Sequence, residues 1–183
     1  MIKRIGRCRL PDSRTHDPFT SLVRVIASQQ LSGKAADTIF GRVVVLAGGG
    51  PHLDPSTVRA LSADALRAAG LSRPKISYVY DLADRVIDGR LDLHAFETHS
   101  DEEVIAAITA VKGLGRWSAE MFLMFQLLRL DVWPTGDLGV RKGYALAWAV
   151  PVPTPKQLDA SGEAFRPFRS VAAWYCWAAL RSG

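Results

Sequence analysis

Apolar residues recur along most of the chain at offsets of three and four, the period of helices that bury one face. Phe19, Leu22, Val23, Ile26 and Ala27 share one such face. Ser28-Gln29-Gln30-Leu31-Ser32 interrupts the pattern. Ser32 suits a helix N-cap, and Ala35, Ala36, Ile39, Phe40 and Val43 continue on a second helix that absorbs the apolar run Val43 to Leu46. Gly48-Gly49-Gly50-Pro51 reads as a loop, and Ser56 and Ser62 as caps of two short helices, the second closed by Gly70. A longer helix is predicted over Arg73 to Ile87, with Ile76, Val79, Tyr80, Ala83 and Ile87 on its apolar side and Gly89 at its end. Ser100-Asp101-Glu102-Glu103 is a capping box, and the helix it opens runs to about Val111. The next helix begins at Gly115 and ends near Leu128, and another starts at Asp137. Helices from Pro155 and from Phe168 to Leu180 finish the chain, whereas residues 1–18 read as basic and irregular. No period-2 strand stands out, so the fold class is all-α.

Composition narrows the picture only modestly. A chain of 183 residues with 48% hydrophobic and 22% charged residues is long enough for one sizeable core or two small lobes. Lys plus Arg exceeds Asp plus Glu by 23 − 18 = +5, which favours a polyanionic partner. Cys8 and Cys176 stand far apart, so a reducing compartment, the cytoplasm, is expected. No apolar run reaches the length of a membrane span. His16, His52, His94 and His99 lack metal-ligand spacing. Lys3, Arg4, Arg7 and Arg9 read as a solvated basic tail.

One stretch carries candidate chemistry. Gly113-Leu114-Gly115 lies between two helical patterns, with Lys112 and Arg116 on either side. Glycines let the backbone turn tightly and let a ligand approach it. The amides that open the second helix are unpaired at the positive end of its dipole, where a phosphate fits. The plain reading is an αα-hairpin whose glycines only end the first helix. Asp137 follows a Pro-Thr-Gly turn and suits a helix N-cap, a position that favours its ionised form.

The order of residues around these features is more specific. Gly113-Leu114-Gly115-Arg116-Trp117-Ser118-Ala119-Glu120 is followed by Pro134, Gly136-Asp137-Leu138-Gly139 and Arg141-Lys142-Gly143. This resembles the helix–hairpin–helix (HhH-GPD) superfamily of base-excision DNA glycosylases, and within it the DNA-3-methyladenine glycosylase II branch. Phe19…Ile26-Ala27-Ser28-Gln29-Gln30-Leu31-Ser32…Ala35-Ala36 and Arg166-Pro167-Phe168-Arg169-Ser170…Trp174-Tyr175-Cys176-Trp177 are similar to the same branch. The resemblance runs from about Pro18 to Leu180. It implies a single all-α unit over 1–183 with two lobes, one of about 18–130 bearing the hairpin, the other of about 1–17 plus 131–183. The active-site cleft is expected between the lobes, with Asp137 at their junction. The β-rich domain that some relatives carry ahead of the helices is expected to be lacking, because the chain begins almost at the first helix.

The resemblance also assigns roles. It implies a monomer that acts on double-stranded DNA and excises alkylated purines, 3-methyladenine and 7-methylguanine. Asp137 is the family's catalytic aspartate, a fixed negative charge for an oxocarbenium-like sugar. Trp117 stands where strand-cutting relatives have a lysine. Tryptophan cannot form a Schiff base, so a monofunctional glycosylase is expected. Trp117 and Trp177 match aromatic positions of the base pocket, whose faces attract a cationic base by roughly 0.5–2 kcal/mol per contact. Met121 and Phe168 are expected to complete the wall, and Trp133, Trp148 and Trp174 to pack in the core. Gln30 aligns with the side chain inserted into the duplex when a nucleotide flips out, whereas Gln29 reads as structural, bonding nearby backbone. Lys112, Gly113, Leu114, Gly115 and Arg116 form the DNA-binding hairpin. The main-chain carbonyls of Thr109, Val111 and Leu114 are implied to hold a monovalent cation, Na+ or K+, with no other cofactor required. A non-catalytic DNA-binding module built on the same hairpin is the alternative, but mere binding needs neither Asp137 nor Trp117 and Trp177.

Overall fold

The computed structural model describes residues 2–11, 14, 16–31 and 33–181, Ile2 by its backbone alone. All regular structure among them is helical. The chain divides into two compact units, Thr15–Phe122 and Met1–Arg14 with Leu123–Gly183, where the sequence reading placed its boundary near Leu130.

The first unit holds α2 (Pro18–Ser28), α3 (Gly33–Leu46), α4 (Pro55–Ala60), α5 (Ala63–Ala68), α6 (Arg73–Ile87), a 3-10 turn (Ala95–Glu97), α7 (Asp101–Thr109) and most of α8 (Arg116–Phe125). Helix α6 packs against α2, α4 and α5, and α2 also packs against α3. Its centre is made by Leu22, Val23, Ile26, Val43, Val58, Leu66, Val79 and Leu82, each with no exposed surface. Phe96 and Phe122 meet edge-on, 5.7 Å between centroids. On α6 it is Leu82 that is buried and Ile87 that is 51% exposed, so the buried stripe ends one turn earlier than the apolar pattern suggests.

The second unit holds α1 (Ile2–Ile5), the end of α8, α9 (Leu138–Trp148), α10 (Pro155–Gly162), a 3-10 turn (Glu163–Phe165) and α11 (Arg169–Arg181). The basic N-terminus is therefore not wholly irregular. It forms a short helix against α11, where the Tyr175 hydroxyl donates to the Gly6 carbonyl at 2.8 Å. Helices α9 and α11 form the central pair. Their backbones nearly touch: a Cβ on Gly143 would stand 1.9 Å from the Cys176 carbonyl oxygen. Cys176 is wholly buried, and burial pushes its thiol up to about 12.

Caps explain most helix starts. Ser62, Ser72 and Ser100 each accept from the amide three residues on, and Ser100 completes the capping box with Glu103. The cap of α4 is Asp54, not Ser56, because Pro55 takes the first helical position, where no amide is needed. Ser32, read as the cap of α3, lies outside the described residues.

Candidate functional site

The hairpin between α7 and α8 rests on α6. Gly113 has φ +74°, and a Cβ there would lie 2.2 Å from the Tyr78 ring. The fold itself therefore demands glycine at 113. Gly115 is different, since a Cβ there would meet nothing within 4 Å. Its carbonyl accepts from Ala119 at 3.1 Å, so it stands as the cap of α8 with open space beside it. The amides that open α8 have no acceptors within the helix itself, which suits an anion.

Not every expected contact is available. The Lys112 amide donates to Asp81 Oδ2 at 2.9 Å. Burial raises the Asp81 carboxyl, but the bonds from Lys112 and Arg85 outweigh it and hold the group below the ordinary carboxylate range. The Lys112 side chain is exposed beside a polar cavity of about 350 Å³ that Arg73, Ser77 and Asp84 also line. Leu114 is only 4% exposed, so its side chain anchors the hairpin in the core. Its amide donates to the Val111 carbonyl at 3.2 Å. Arg116 is already paired, bonding Glu102 at 3.1 and 2.5 Å and lying 3.4 Å from Glu120. The carbonyls of Thr109 and Val111 lie at the negative end of α7, a neutral donor set that suits a monovalent cation. Among the described residues no group of three His, Cys, Asp or Glu side chains is placed to hold a metal.

Beside the hairpin, the turn after α2 carries the two glutamines. Gln30 is exposed and has φ +58°. Gln29 reaches further than expected, because its Nε2 donates to the Gly113 carbonyl at 2.7 Å. Lys75, missed in the sequence, donates from Nζ to the carbonyls of Ala27 at 2.8 Å and Gln29 at 2.7 Å. Trp117, on the first turn of α8, is 43% exposed, whereas Met121 one turn on is only 9% exposed.

In the other unit, Asp137 caps α9. Its Oδ1 accepts from the Val140 amide at 2.7 Å and from the Trp177 indole Nε1 at 2.9 Å. Gly139 makes the second bond possible, since a Cβ there would lie 2.9 Å from Asp137 Oδ1 and from Trp177 Cδ1. Phe125 stacks on Trp177 at 6.1 Å and 27°. Its signal was its place eight residues after Trp117, two helical turns on.

Phe168 is not brought to Trp177. Nine residues separate them, roughly 13 Å along α11 and half a revolution apart. Phe168 instead lines an apolar cavity of about 500 Å³ with Lys3, Trp148, Phe165, Val171, Ala172 and Tyr175, which corrects its expected place in the base-pocket wall. Trp148 is not core either, being 40% exposed and stacked on Tyr144 at 4.4 Å. Trp133 is buried and donates to the Leu158 carbonyl at 2.9 Å.

The segment leading to Asp137 is clamped to the start of α11. Arg169 holds the Asp131 carboxylate at 2.7 and 3.1 Å and its carbonyl at 2.8 Å, and Arg166 adds a bond at 2.8 Å. The Ser170 hydroxyl donates to the Arg129 carbonyl at 2.7 Å and accepts from the Val132 amide at 3.0 Å. Asp131 was missed, although an acidic residue set against Arg166 and Arg169 was a charge signal.

Comparison with known proteins agrees with this geometry. Residues 23–167 match the family model described as "HhH-GPD superfamily base excision DNA repair protein". The chain is 37% identical over 180 residues to DNA-3-methyladenine glycosylase 1 of Schizosaccharomyces pombe, covering 97% of this chain and 79% of the relative. It is similar in structure to the S. pombe 3-methyladenine DNA glycosylase (Mag1) in complex with abasic DNA, with a TM-score of 0.86 and 37% identity over 96% of this chain and 87% of that one. A DNA-3-methyladenine glycosidase from Bacillus halodurans gives a TM-score of 0.82 and 40% identity over 96% and 79% of the two chains.

Proposed function

This chain belongs to the HhH-GPD superfamily of base excision DNA repair proteins, and from that premise we propose that it hydrolyses the N-glycosidic bond of alkylated purines in duplex DNA and leaves an abasic site. It is a DNA glycosylase of base excision repair, and 3-methyladenine and 7-methylguanine are its proposed substrates. Alkylation at N3 or N7 makes the purine cationic and a good leaving group, so a strong general acid is not needed. As the bond breaks, positive charge grows on the sugar. Asp137 supplies the opposing fixed charge and orients or deprotonates the attacking water. Its N–H donors from Val140 and Trp177 hold one oxygen in place before the reaction, the preorganisation that electrostatic catalysis requires.

The hairpin is the proposed phosphate grip, through the opening amides of α8 and the side chains of Lys112 and Arg116. A monovalent cation on the carbonyls of Thr109, Val111 and Leu114 would add positive charge beside the phosphate. Trp117 is the proposed stacking face for the cationic base. It offers no amine, which supports a monofunctional reaction without strand cleavage. Gln30 is the proposed plug for the gap left by the flipped nucleotide, and the protein works as a monomer. No helix among the described residues is long and apolar enough to cross a membrane.

The observation that carries the reading is the oriented carboxylate at the start of α9. Release of 3-methyladenine from methylated duplex DNA tests it. Wild type releases the base, and Asp137→Asn loses at least about 10²-fold in single-turnover rate. No release by wild type defeats the enzymatic reading, and equal release by the variant defeats the role of Asp137. Borohydride yields no covalent protein–DNA adduct; an adduct refutes the monofunctional claim.

A further inference from the structure

Ser28, Gln29, Gln30 and Leu31 form a turn of unusual composition. The Leu31 amide donates to the Ser28 carbonyl at 3.2 Å, the closing bond of a β-turn. Gln29 has φ −52° and ψ 130°, and Gln30 has φ +58°. These are the angles of a type II turn, whose third position favours glycine because φ is positive there. Here it holds a glutamine, for which the left-handed region is unfavourable. Types I and II differ mainly by a flip of the central peptide, in this turn the one joining Gln29 to Gln30. A glutamine left to itself prefers the type I form, with negative φ.

Something must hold that peptide in its flipped orientation, and Lys75 reaches it. Its ammonium donates to the Gln29 carbonyl, the oxygen of the central peptide, at 2.7 Å, and to the Ala27 carbonyl at 2.8 Å. The second bond anchors the ammonium at the C-terminus of α2, where the helix dipole favours a cation. Lys75 is half-buried, and burial lowers its pKa from the ordinary lysine value. From the same turn the Gln29 amide donates to the Gly113 carbonyl at 2.7 Å. The turn is therefore fixed both to α6 and to the hairpin, and the exposed side chain at its left-handed corner is that of Gln30.

We propose that Lys75, assisted by Gln29, is a positioning residue for DNA interrogation: it clamps the Gln29–Gln30 peptide in the type II orientation and so aims Gln30 at the duplex at a set place relative to the hairpin. The proposal rests on the glycosylase reading, in which Gln30 fills the space of the flipped nucleotide. It separates two functions within one unit. The hairpin grips phosphates whatever the sequence, whereas the clamped turn senses whether a nucleotide can leave the stack.

The test compares binding to a duplex with one tetrahydrofuran abasic analogue and to the same duplex intact, read by fluorescence anisotropy. Base release from methylated DNA and thermal melting are measured on the same proteins. Lys75→Met is expected to reduce the abasic-over-intact affinity ratio about tenfold while intact-duplex affinity stays within about twofold. Lys75→Arg, which can still donate to both carbonyls, restores the ratio to within about threefold. Gln29→Ala lowers the ratio in the same direction and leaves no charge unpaired, so it decides the matter if Lys75→Met does not fold. An unchanged ratio in folded Lys75→Met, or in Gln29→Ala where Lys75→Met does not fold, overturns the proposal while the glycosylase reading stands. Equal loss for both duplexes also overturns it, since Lys75 would then be merely structural. A wild type with neither base release nor abasic preference brings down the glycosylase reading and the proposal with it.

Discussion

Two N–H groups meet at one oxygen of Asp137, and they come from very different distances in sequence. Val140 is three residues away, and its bond was foreseeable from a Pro-Thr-Gly-Asp turn ahead of an apolar pattern. Trp177 is 40 residues away, and no local pattern signals that its indole would serve the carboxylate. Gly139 joins the two, because its missing Cβ leaves room for the indole edge. Gly139→Ala should therefore push Trp177 and Asp137 apart. The expected cost is about 1–3 kcal/mol of stability, together with a fall of at least about tenfold in the single-turnover rate of base release. A Gly139→Ala enzyme that melts lower but releases base at the wild-type rate would show that the Trp177 bond does not matter to the reaction. The same contrast runs through the glutamines. Gln30 is singled out by resemblance alone, whereas the reach of Gln29 to Gly113 depends on a fold that brings together residues 84 apart.

At the scale of elements, helices were legible wherever a cap and an apolar stripe agreed. The box at Ser100 and the start of α6 after Ser72 follow from local hydrogen bonding alone. Where Pro55 set the register, the cap moved to Asp54. The end of α8 was read too long, because apolar residues continue past its last turn at Phe125, and Leu128 turns left-handed at φ +58°. What periodicity could not supply was the use made of a charge. Arg116 looked like a free cation beside the hairpin, but Glu102 of α7 holds it in two bonds. Both side chains are largely exposed, so the pair contributes little to stability and can exchange for a phosphate. Glu102→Gln should release Arg116 to DNA: intact-duplex affinity rises about three- to tenfold at low salt, and the slope of log K against log salt steepens by about one. Titrations at several salt concentrations measure this, and an unchanged slope would mean that Arg116 never reaches a phosphate.

Over the whole molecule, two compact units each depend on a carboxylate held by arginine. Asp81 ties the hairpin to Arg85, and Asp131 ties the segment before Asp137 to Arg166 and Arg169. Burial raises both carboxyls, but the bonds they accept bring both below the ordinary range. Their stabilisation is then complete above the unfolded value of about 3.9 and is lost as the pH falls through the lower folded values. The melting temperature should change little between about pH 7 and 5 and drop below about pH 4. Circular dichroism melts across that range check it; a melting temperature unmoved down to about pH 2.5 would mean that neither pair matters. The all-α class was legible from periodicity, and the family from the order of its motifs. The clamp on residues 129–132 was not read, because its partners stand 35 to 41 residues apart and no local pattern pairs them.

Cys176 lies in the tight crossing of α9 and α11, its carbonyl facing Gly143 and its thiol fully buried. Burial pushes that thiol up to about 12, so the reactive thiolate is strongly disfavoured at neutral pH. The electrophiles that methylate purines also attack thiolates. A repair protein whose proposed substrates are such lesions meets the same chemical assault as the DNA it mends. By burying this sulfur, the helix crossing keeps the centre of its unit out of reach of such agents.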